Sequence, residues 1–189
     1  MTAMATIGEE QALVARFRWG DDSAFGGIVE RHSAEVAALA NRLLGWPGDV
    51  DDVVQDVFVA AFVGLKRFRG QCRLRTWLFT ITINKCRSYR LRRHHLRLGQ
   101  TAEAETVAGS DPGGDKVAMD QETFAEVHRA VRGLPQKYRE VVVLRYLQEL
   151  EMSEISETLR ITTNAAQVRL NRAKRQLKQP LSRLIGDVP

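Results

Sequence analysis

The amino-acid sequence predicts an all-α protein made of two small helical domains joined by a flexible linker. Through most of the chain, apolar residues recur at alternating steps of three and four, the spacing of one helix face. No stretch alternates apolar and polar residues in the manner of a strand. Residues 98–122 are rich in small, acidic, Gly and Pro residues and have little apolar periodicity, which is typical of a linker.

The first predicted domain covers residues 9–97. Its apolar spacing predicts helices over residues 9–19 and 25–43, a helix that begins near Asp49 or Asp51 and ends near residue 68, and a helix over residues 74–93. Carboxylates at the start of the third helix suit the positive end of a helix dipole.

The second predicted domain covers residues 123–182. Pro135 can open a helix there because its missing N–H costs nothing in the first turn. A short helix at 153–159, a connection at 160–164 and a last helix follow. Thr162 or Thr163 is the expected N-cap of that last helix, and Pro180 is expected to end it.

The charge of the chain is segregated. Residues 66–97, called the basic segment here, carry 11 Lys and Arg and no Asp or Glu. A solvated helix face normally mixes both signs, so this run indicates a polyanionic partner. Residues 129–189 carry 12 basic and 6 acidic side chains. Two basic blocks indicate two contacts with one nucleic acid.

Residues 151–178 have the pattern of a helix–turn–helix, in which the second helix enters a major groove. The residues expected to pack the unit together are Ile155, Leu159, Ile161, Leu170, Leu177 and either Val168 or Ala166. The alternative is an ordinary helical hairpin with a cationic outer face. The residues expected to face DNA are Asn164, Gln167, Arg169, Asn171, Arg172, Lys174 and Arg175.

The basic segment combines cations with aromatic and amide side chains. Trp77 and Asn84 fall on one face of the predicted helix, with Leu91 further along. An amide can bind the edge of an extruded base, and an indole can stack on it. The alternatives are core packing for Trp77 and an ordinary exposed polar role for Asn84.

No catalytic or metal-binding constellation stands out in the sequence. Cys72, Cys86, His94 and His95 match no zinc spacing, so neither a metal nor a cofactor is expected. Two cysteines are too few for a disulfide framework, and no apolar run approaches the roughly 18 residues that cross a bilayer. The chain is therefore expected to be cytoplasmic, without direct membrane insertion.

Four stretches, in order, resemble the bacterial RNA polymerase sigma factors of the extracytoplasmic-function (ECF) group in the sigma-70 family. AFGGIVERHSAEVAALANRLLG and DVDDVVQDVFVAAFVGLKRFRG resemble the first two helices of region 2, and RTWLFTITINKCRSYRLRR resembles its promoter-melting helix. The stretch that begins LPQKYREVVVLRY resembles region 4. The resemblance covers nearly everything except the linker.

The resemblance implies a function without catalysis. The chain would bind core RNA polymerase at the β′ clamp helices and the β flap, direct it to promoters and help to open the DNA. Region 2 would occupy residues 9–97 and region 4 residues 123–182, with the acidic linker at 98–122. Relatives are held inactive by an anti-sigma factor, which is often anchored in a membrane.

The resemblance also implies roles for particular residues. Asn84 matches the position that captures a flipped base of the −10 element. The residues expected to contact the −10 region are Arg69, Gln71, Arg73, Arg75, Trp77, Asn84 and Arg87. The helix-turn-helix set named above would read the −35 element. The residues expected to contact polymerase are Asp52, Gln55 and Asp56. The alternative interpretation is that they form an ordinary solvated helix face.

Two other functions fit the composition less well. A conventional helix–turn–helix regulator would bind an operator without polymerase, but it would need neither the basic segment nor the acidic residues at 51–56. A nuclease would need a carboxylate cluster for Mg²⁺, and the basic segment contains no carboxylate.

Overall fold

The computed structural model describes residues 2–45, 49–99 and 118–185, with side chains described for residues 8–45, 49–93 and 123–182. The regular elements in these ranges are helical, and these ranges contain no strand. The helices divide into two compact units, Met1–Glu105 and Thr106–Pro189. The predicted all-α class with two helical domains is confirmed.

The N-terminal unit contains four helices. They are α1 (Thr2–Arg18), α2 (Ala24–Leu44), α3 (Val50–Leu65) and α4 (Leu74–Gly99). Helix α2 packs on α1, α3 and α4, and α3 packs on α4. Helix α1 begins earlier and α4 ends later than the apolar spacing predicted. Both extensions lack proline, the residue that most strongly interrupts a helix.

A polar cluster joins the end of α1 to the start of α2. Arg16 Nη2 donates to Asp21 Oδ2 at 2.6 Å, and Ser23 Oγ donates to Asp21 Oδ1 at 2.5 Å. The hydrogen bond from Ser23, followed by that from Arg16, lowers the pKa of Asp21. Gly45, at φ 83°, ends α2 in the left-handed conformation, which glycine adopts without a steric penalty.

The core of this unit forms where the apolar stripes of the four helices meet. Phe17 of α1 is fully buried, and its ring lies 5.1 Å from that of Phe62 on α3. In the same last turn of α3, a Cβ built on Gly64 would lie 3.1 Å from Cζ2 of Trp77. Glycine therefore allows α3 and the indole of α4 to approach closely.

The C-terminal unit contains α5 (Ala118–Gly133), α6 (Gln136–Val142), α7 (Met152–Leu159) and α8 (Thr163–Ile185). Pro135 directly precedes α6, as predicted, and a π-helical turn, Val143–Leu147, continues that helix. The side chain of buried Arg139 donates to the carbonyls of Arg132 and Leu134 near the end of α5. Arg139 thereby satisfies helix-end carbonyls that have no helical partner.

One predicted helix end in this unit is wrong, and one helix reaches into the predicted linker. Helix α5 begins at Ala118, within the segment predicted as linker up to residue 122. Residues 118–122 contain neither Gly nor Pro, so nothing in them prevents a helical turn. Pro180 lies inside α8 and does not end it. Pro180 is exposed, and water can therefore satisfy the carbonyl that loses its backbone donor.

Candidate polymerase and nucleic-acid interfaces

Several cations of the basic segment meet carboxylates that come from other helices. Arg75 Nε donates to Glu35 Oε2 of α2 at 3.1 Å. Arg93 Nη1 donates to Asp49 Oδ2, just before α3, at 2.5 Å. The basic segment has no acid in its sequence, but the fold supplies acids to Arg75 and Arg93 from residues 40 and 44 positions away.

Asp56 of α3 receives two further cations. Lys85 Nζ lies 3.6 Å from Asp56 Oδ2, and Arg92 Nη2 lies 3.8 Å from the same oxygen. Lys85 and Arg92 are two helical turns apart, so they share a face of α4. That face, turned toward α3, is held by ion pairs.

Tyr89 and Arg90 add polar contacts on the same helix. The hydroxyl of Tyr89 donates to Asp49, and this hydrogen bond, followed by burial, raises the pKa of Tyr89. Arg90 Nη1 donates to the carbonyl of Leu43 at the end of α2, at 3.3 Å. A cation suits that end of a helix because the helix dipole is negative there.

Trp77 and Asn84 lie two turns apart on α4 and differ in their surroundings. Trp77 is half-buried, and its ring lies 5.1 Å from the ring of Phe68 and against Gly64. Asn84 is exposed. The alternative of core packing therefore holds for part of the Trp77 ring, while the Asn84 amide points to solvent on the outer face of α4.

The remaining candidates of the −10 set occupy two places. Arg69, Gln71 and Arg73 are exposed in the connection between α3 and α4, where Gly70 at φ 70° makes the turn. Arg75 lies 5.0 Å over the ring of Phe79 in addition to its pair with Glu35. Arg87 is half-buried on α4.

The acidic candidates on α3 belong to a longer surface. Asp52 and Gln55 are exposed, and Asp56 is half-buried beside them. The same face continues at helical spacing to Val59 and Val63, which are 65% and 71% exposed. These two valines were not among the residues predicted for this surface. The sequence contains a clue to them: a surface helix normally has apolar residues only on its buried face, and α3 also has them on the opposite face.

The helix–turn–helix pattern is present in the C-terminal unit. Glu151 and Glu154 form a capping box at the start of α7. Arg160, at φ 54°, turns the chain after α7. Ala165 N–H donates to Thr162 Oγ1 at 3.1 Å, so Thr162 is the N-cap of α8. Of the alternatives for packing, Ala166 is fully buried and Val168 is 40% exposed.

The candidate DNA-reading side chains of α8 lie largely in solvent. Gln167 Nε2 donates to Asn171 Oδ1 at 3.2 Å, which orients two amides along the helix. Arg172 hydrogen-bonds Tyr138, and that bond lowers the pKa of the Tyr138 hydroxyl. Arg169 is half-buried, whereas the exposed members of the set are Asn164, Gln167, Asn171, Arg172, Lys174 and Arg175.

One neighbour of α8 was not foreseen as part of this surface. Tyr146, in the π-helical turn, is 51% exposed, and Lys174 Nζ lies 5.8 Å from the centre of its ring. The helix predicted after Pro135 contains Tyr146, but its apolar spacing gave no sign that this ring would lie beside α8. A π-helical turn shifts the register of the helix by one residue, which apolar spacing alone does not reveal.

The structure describes the side chains of two of the four soft ligands considered in the sequence, Cys72 and Cys86. Cys72 is half-buried and Cys86 is buried, while the side chains of His94 and His95 lie outside the described residues. Among the described side chains, no group of three His, Cys, Asp or Glu residues could hold a metal ion. None of the described helices is long and apolar enough to span a bilayer.

Comparison with known proteins links both units to one family. Residues 28–96 match the family model of sigma-70 region 2, and residues 124–177 match that of sigma-70 region 4. The first match contains most of α2 and nearly all of α4, and the second contains α6 and α7 with most of α8. The matches therefore include both basic helices described above.

Full-length relatives agree with these matches. The chain is 35% identical over 176 residues to the RNA polymerase sigma factor CnrH of Cupriavidus metallidurans, covering 89% of this chain and 92% of CnrH. It is 29% identical over 184 residues to the ECF RNA polymerase sigma-E factor of Escherichia coli, covering 93% and 96%.

A solved structure of CnrH in complex with the cytosolic domain of CnrY matches with a TM-score of 0.67 at 30% identity. The match covers 95% of this chain and 99% of the CnrH chain. Sequence and fold therefore agree over almost the whole length, and the chain belongs to the ECF group of the sigma-70 family of RNA polymerase sigma factors.

Proposed function

We propose that this sigma factor binds core RNA polymerase, recognises −10 and −35 promoter elements through separate domains and promotes melting of the DNA. The observation that carries this proposal is the order of the two matches, region 2 on the N-terminal unit and region 4 on the C-terminal unit. Each unit contains one long basic helix with exposed amide side chains. Sigma factors act in transcription initiation, and the chemistry of RNA synthesis belongs to the polymerase.

Residues 9–97 form the proposed −10 domain. The exposed amide of Asn84 binds the edge of a flipped base, and the half-buried ring of Trp77 supports the neighbouring DNA. Exposed cations before α4 neutralise phosphates. The full proposed set is Arg69, Gln71, Arg73, Arg75, Trp77, Asn84 and Arg87.

Residues 123–182 form the proposed −35 domain, and residues 98–122 connect it to the first domain. The exposed amides of α8 suit hydrogen bonding to base edges in a major groove. Its cations suit phosphates on either side. The full proposed set is Asn164, Gln167, Arg169, Asn171, Arg172, Lys174 and Arg175.

The proposed polymerase contact is the outward face of α3 with Asp52, Gln55 and Asp56. Two carboxylates and an amide fit a cationic partner surface. The β′ clamp helices are the expected partner of this face, and the β flap is the expected partner of the C-terminal unit.

An anti-sigma factor is the proposed regulator. CnrH, to which this chain is 35% identical, was solved in complex with the cytosolic domain of CnrY. An anti-sigma factor that covers the exposed valines of α3 would compete with polymerase. The proposed location is the cytoplasm, at the nucleoid when active and at the membrane when held by an anchored anti-sigma factor.

Transcription in vitro tests the proposed function. Purified chain and core polymerase, given genomic DNA fragments as templates, should start RNA synthesis at discrete sites that core polymerase alone does not use. The double variant Asp52→Ala/Gln55→Ala should bind core polymerase more weakly in a pull-down. Glu30→Ala, an exposed change on α2, is the matched control. A chain that yields no specific transcripts would refute the proposal.

A further inference from the structure

Asp56 occupies an unusual position between the two proposed interfaces. It lies on α3 one position after Gln55, within the proposed polymerase contact, and its carboxylate also faces α4. Lys85 and Arg92 approach the same Asp56 oxygen at 3.6 and 3.8 Å. One acidic side chain therefore touches both the polymerase face and the basic DNA-binding helix.

The exposure of these side chains makes the contact exchangeable. Asp56 is 47% exposed, and its partners Lys85 and Arg92 are 32% and 65% exposed. Ion pairs with this much access to water are weak, because water screens the charges and both long side chains lose rotamer freedom. A stronger partner on either side can replace such a pair.

We infer that Asp56 is a shared carboxylate, which neutralises Lys85 and Arg92 in the free sigma factor and releases them to DNA phosphates when polymerase binds it. This inference rests on the proposed function of α3 and α4. A cationic surface of polymerase competes for Asp56, and the two cations then lose their carboxylate partner. Because binding free energies are reciprocal, DNA bound at α4 also makes Asp56 more available to polymerase.

The electrostatic consequence is a lower affinity of the free chain for DNA. An internal carboxylate competes with phosphate for the same cations, so DNA can bind Lys85 and Arg92 fully only after their ion pairs with Asp56 are broken. Removing the Asp56 charge should therefore have opposite effects on two partners, with tighter binding of DNA and weaker binding of polymerase. A purely structural role for Asp56 would weaken both.

The test measures binding of the free full-length chain to a short fluorescein-labelled single-stranded oligonucleotide by anisotropy, over a series of salt concentrations. The variants are Asp56→Asn and, as matched control, Asp51→Asn. Asp51 is exposed in the first turn of the same helix, so both changes remove one negative charge. Circular dichroism checks that both variants remain helical.

Asp56→Asn should tighten oligonucleotide binding by about two- to fivefold more than Asp51→Asn does at low salt. For Asp56→Asn, the slope of log affinity against log salt concentration should become steeper by about 0.7 to 1.4. This is the contribution of one or two phosphates on a single strand. Adding Lys85→Gln and Arg92→Gln to Asp56→Asn should abolish the gain. Core polymerase should bind Asp56→Asn more weakly than Asp51→Asn.

Equal effects of Asp56→Asn and Asp51→Asn on DNA would overturn the shared-carboxylate assignment, and so would weaker binding to both partners. Either outcome leaves the sigma function intact. A wild-type chain that directs no transcription with core polymerase would instead remove the proposed function, and the comparison of the two variants on DNA would still stand.

Discussion

The positive charges of the two basic helices, α4 and α8, have different neighbours. In α4, Lys85, Arg92 and Arg93 form ion pairs with carboxylates of the α3 region. Within the described side chains, no cation of α8 is paired with a carboxylate; Lys174 lies over an aromatic ring instead. Composition alone therefore does not measure how much charge a helix presents to DNA.

The difference has a consequence for recognition. Helix α8 presents charge and amides together, as a helix that docks into a duplex groove requires. Helix α4 pairs part of its charge with carboxylates of the α3 region and leaves Asn84 exposed between paired cations. We expect the contribution of α4 to promoter opening to come mainly from single side chains such as Asn84. We expect the affinity of α8 for duplex DNA to depend on the total charge of its cations.

The largest expected effect is that of Asn84→Ala. If one amide on α4 captures a base, its removal should slow open-complex formation at a cognate promoter by about tenfold or more, while binding of core polymerase is unchanged. Permanganate footprinting of the melted region measures the effect. Ser88→Ala, one turn further on and also exposed, is the control, and an equal defect in both variants would contradict a specific role for Asn84.

A smaller effect is expected from charge removal on α8. The double variant Lys174→Ala/Arg175→Ala should weaken binding of a duplex carrying the −35 element and lower the dependence of log affinity on log salt by about 0.9 for each phosphate that the variant no longer neutralises. Fluorescence anisotropy at several salt concentrations gives this slope. If affinity falls while the slope stays constant, these two side chains do not contact phosphates.

The packing of α4 against α3 can be tested without touching charge. Gly64→Ala places a methyl group 3.1 Å from the Trp77 ring, so the indole must move, and the free energy of unfolding should fall by about 1–3 kcal/mol. Gly26→Ala, on α2 with nothing within 4 Å of the added Cβ, should be neutral or stabilising by up to about 1 kcal/mol. Urea denaturation compares the two. Equal stabilities would show that Trp77 is not held against Gly64.

The smallest expected effect is the loss of local stability around Asp21 at acidic pH. The folded-state pKa of Asp21 lies below its ordinary value of 3.8, so its contribution to stability is present above that pH and is lost as pH falls through the folded-state pKa. Hydrogen exchange of the full chain should therefore show the α1–α2 junction opening in acid before α8 does. In Asp21→Asn the junction should be less protected at neutral pH and less sensitive to acid; an unchanged acid response would contradict this role.

The sequence predicted features that depend on local spacing, because capping and amphipathic spacing involve residues close in the chain. Ile155 and Leu170 are buried as predicted, whereas Ile161 and Leu177 are half-buried. The sequence left two choices open, and the structure selects Ala166 over Val168 and Thr162 over Thr163. The two outer valines of α3, Val59 and Val63, were missed because an apolar stripe predicts what is buried and gives no reason for apolar residues outside it.

The ion pairs of the basic segment could not be predicted in the same way. Arg75 and Glu35 are 40 residues apart, and Arg93 and Asp49 are 44 apart. Their meeting depends on how α2, α3 and α4 pack, which charge patterns along the sequence do not determine. The absence of carboxylates from residues 66–97 remains true of the sequence but does not describe the electrostatic surroundings of those residues.

The division of α8 into two faces suggests how promoter preference can diverge among related proteins. Ala166, Leu170 and Ala173 are buried against the rest of the C-terminal unit, whereas Gln167 and Asn171 are exposed. Substitutions at the exposed positions should leave the packing intact. If α8 reads the −35 element as proposed, grafting such residues from another sigma factor onto α8 should change promoter preference without loss of folding.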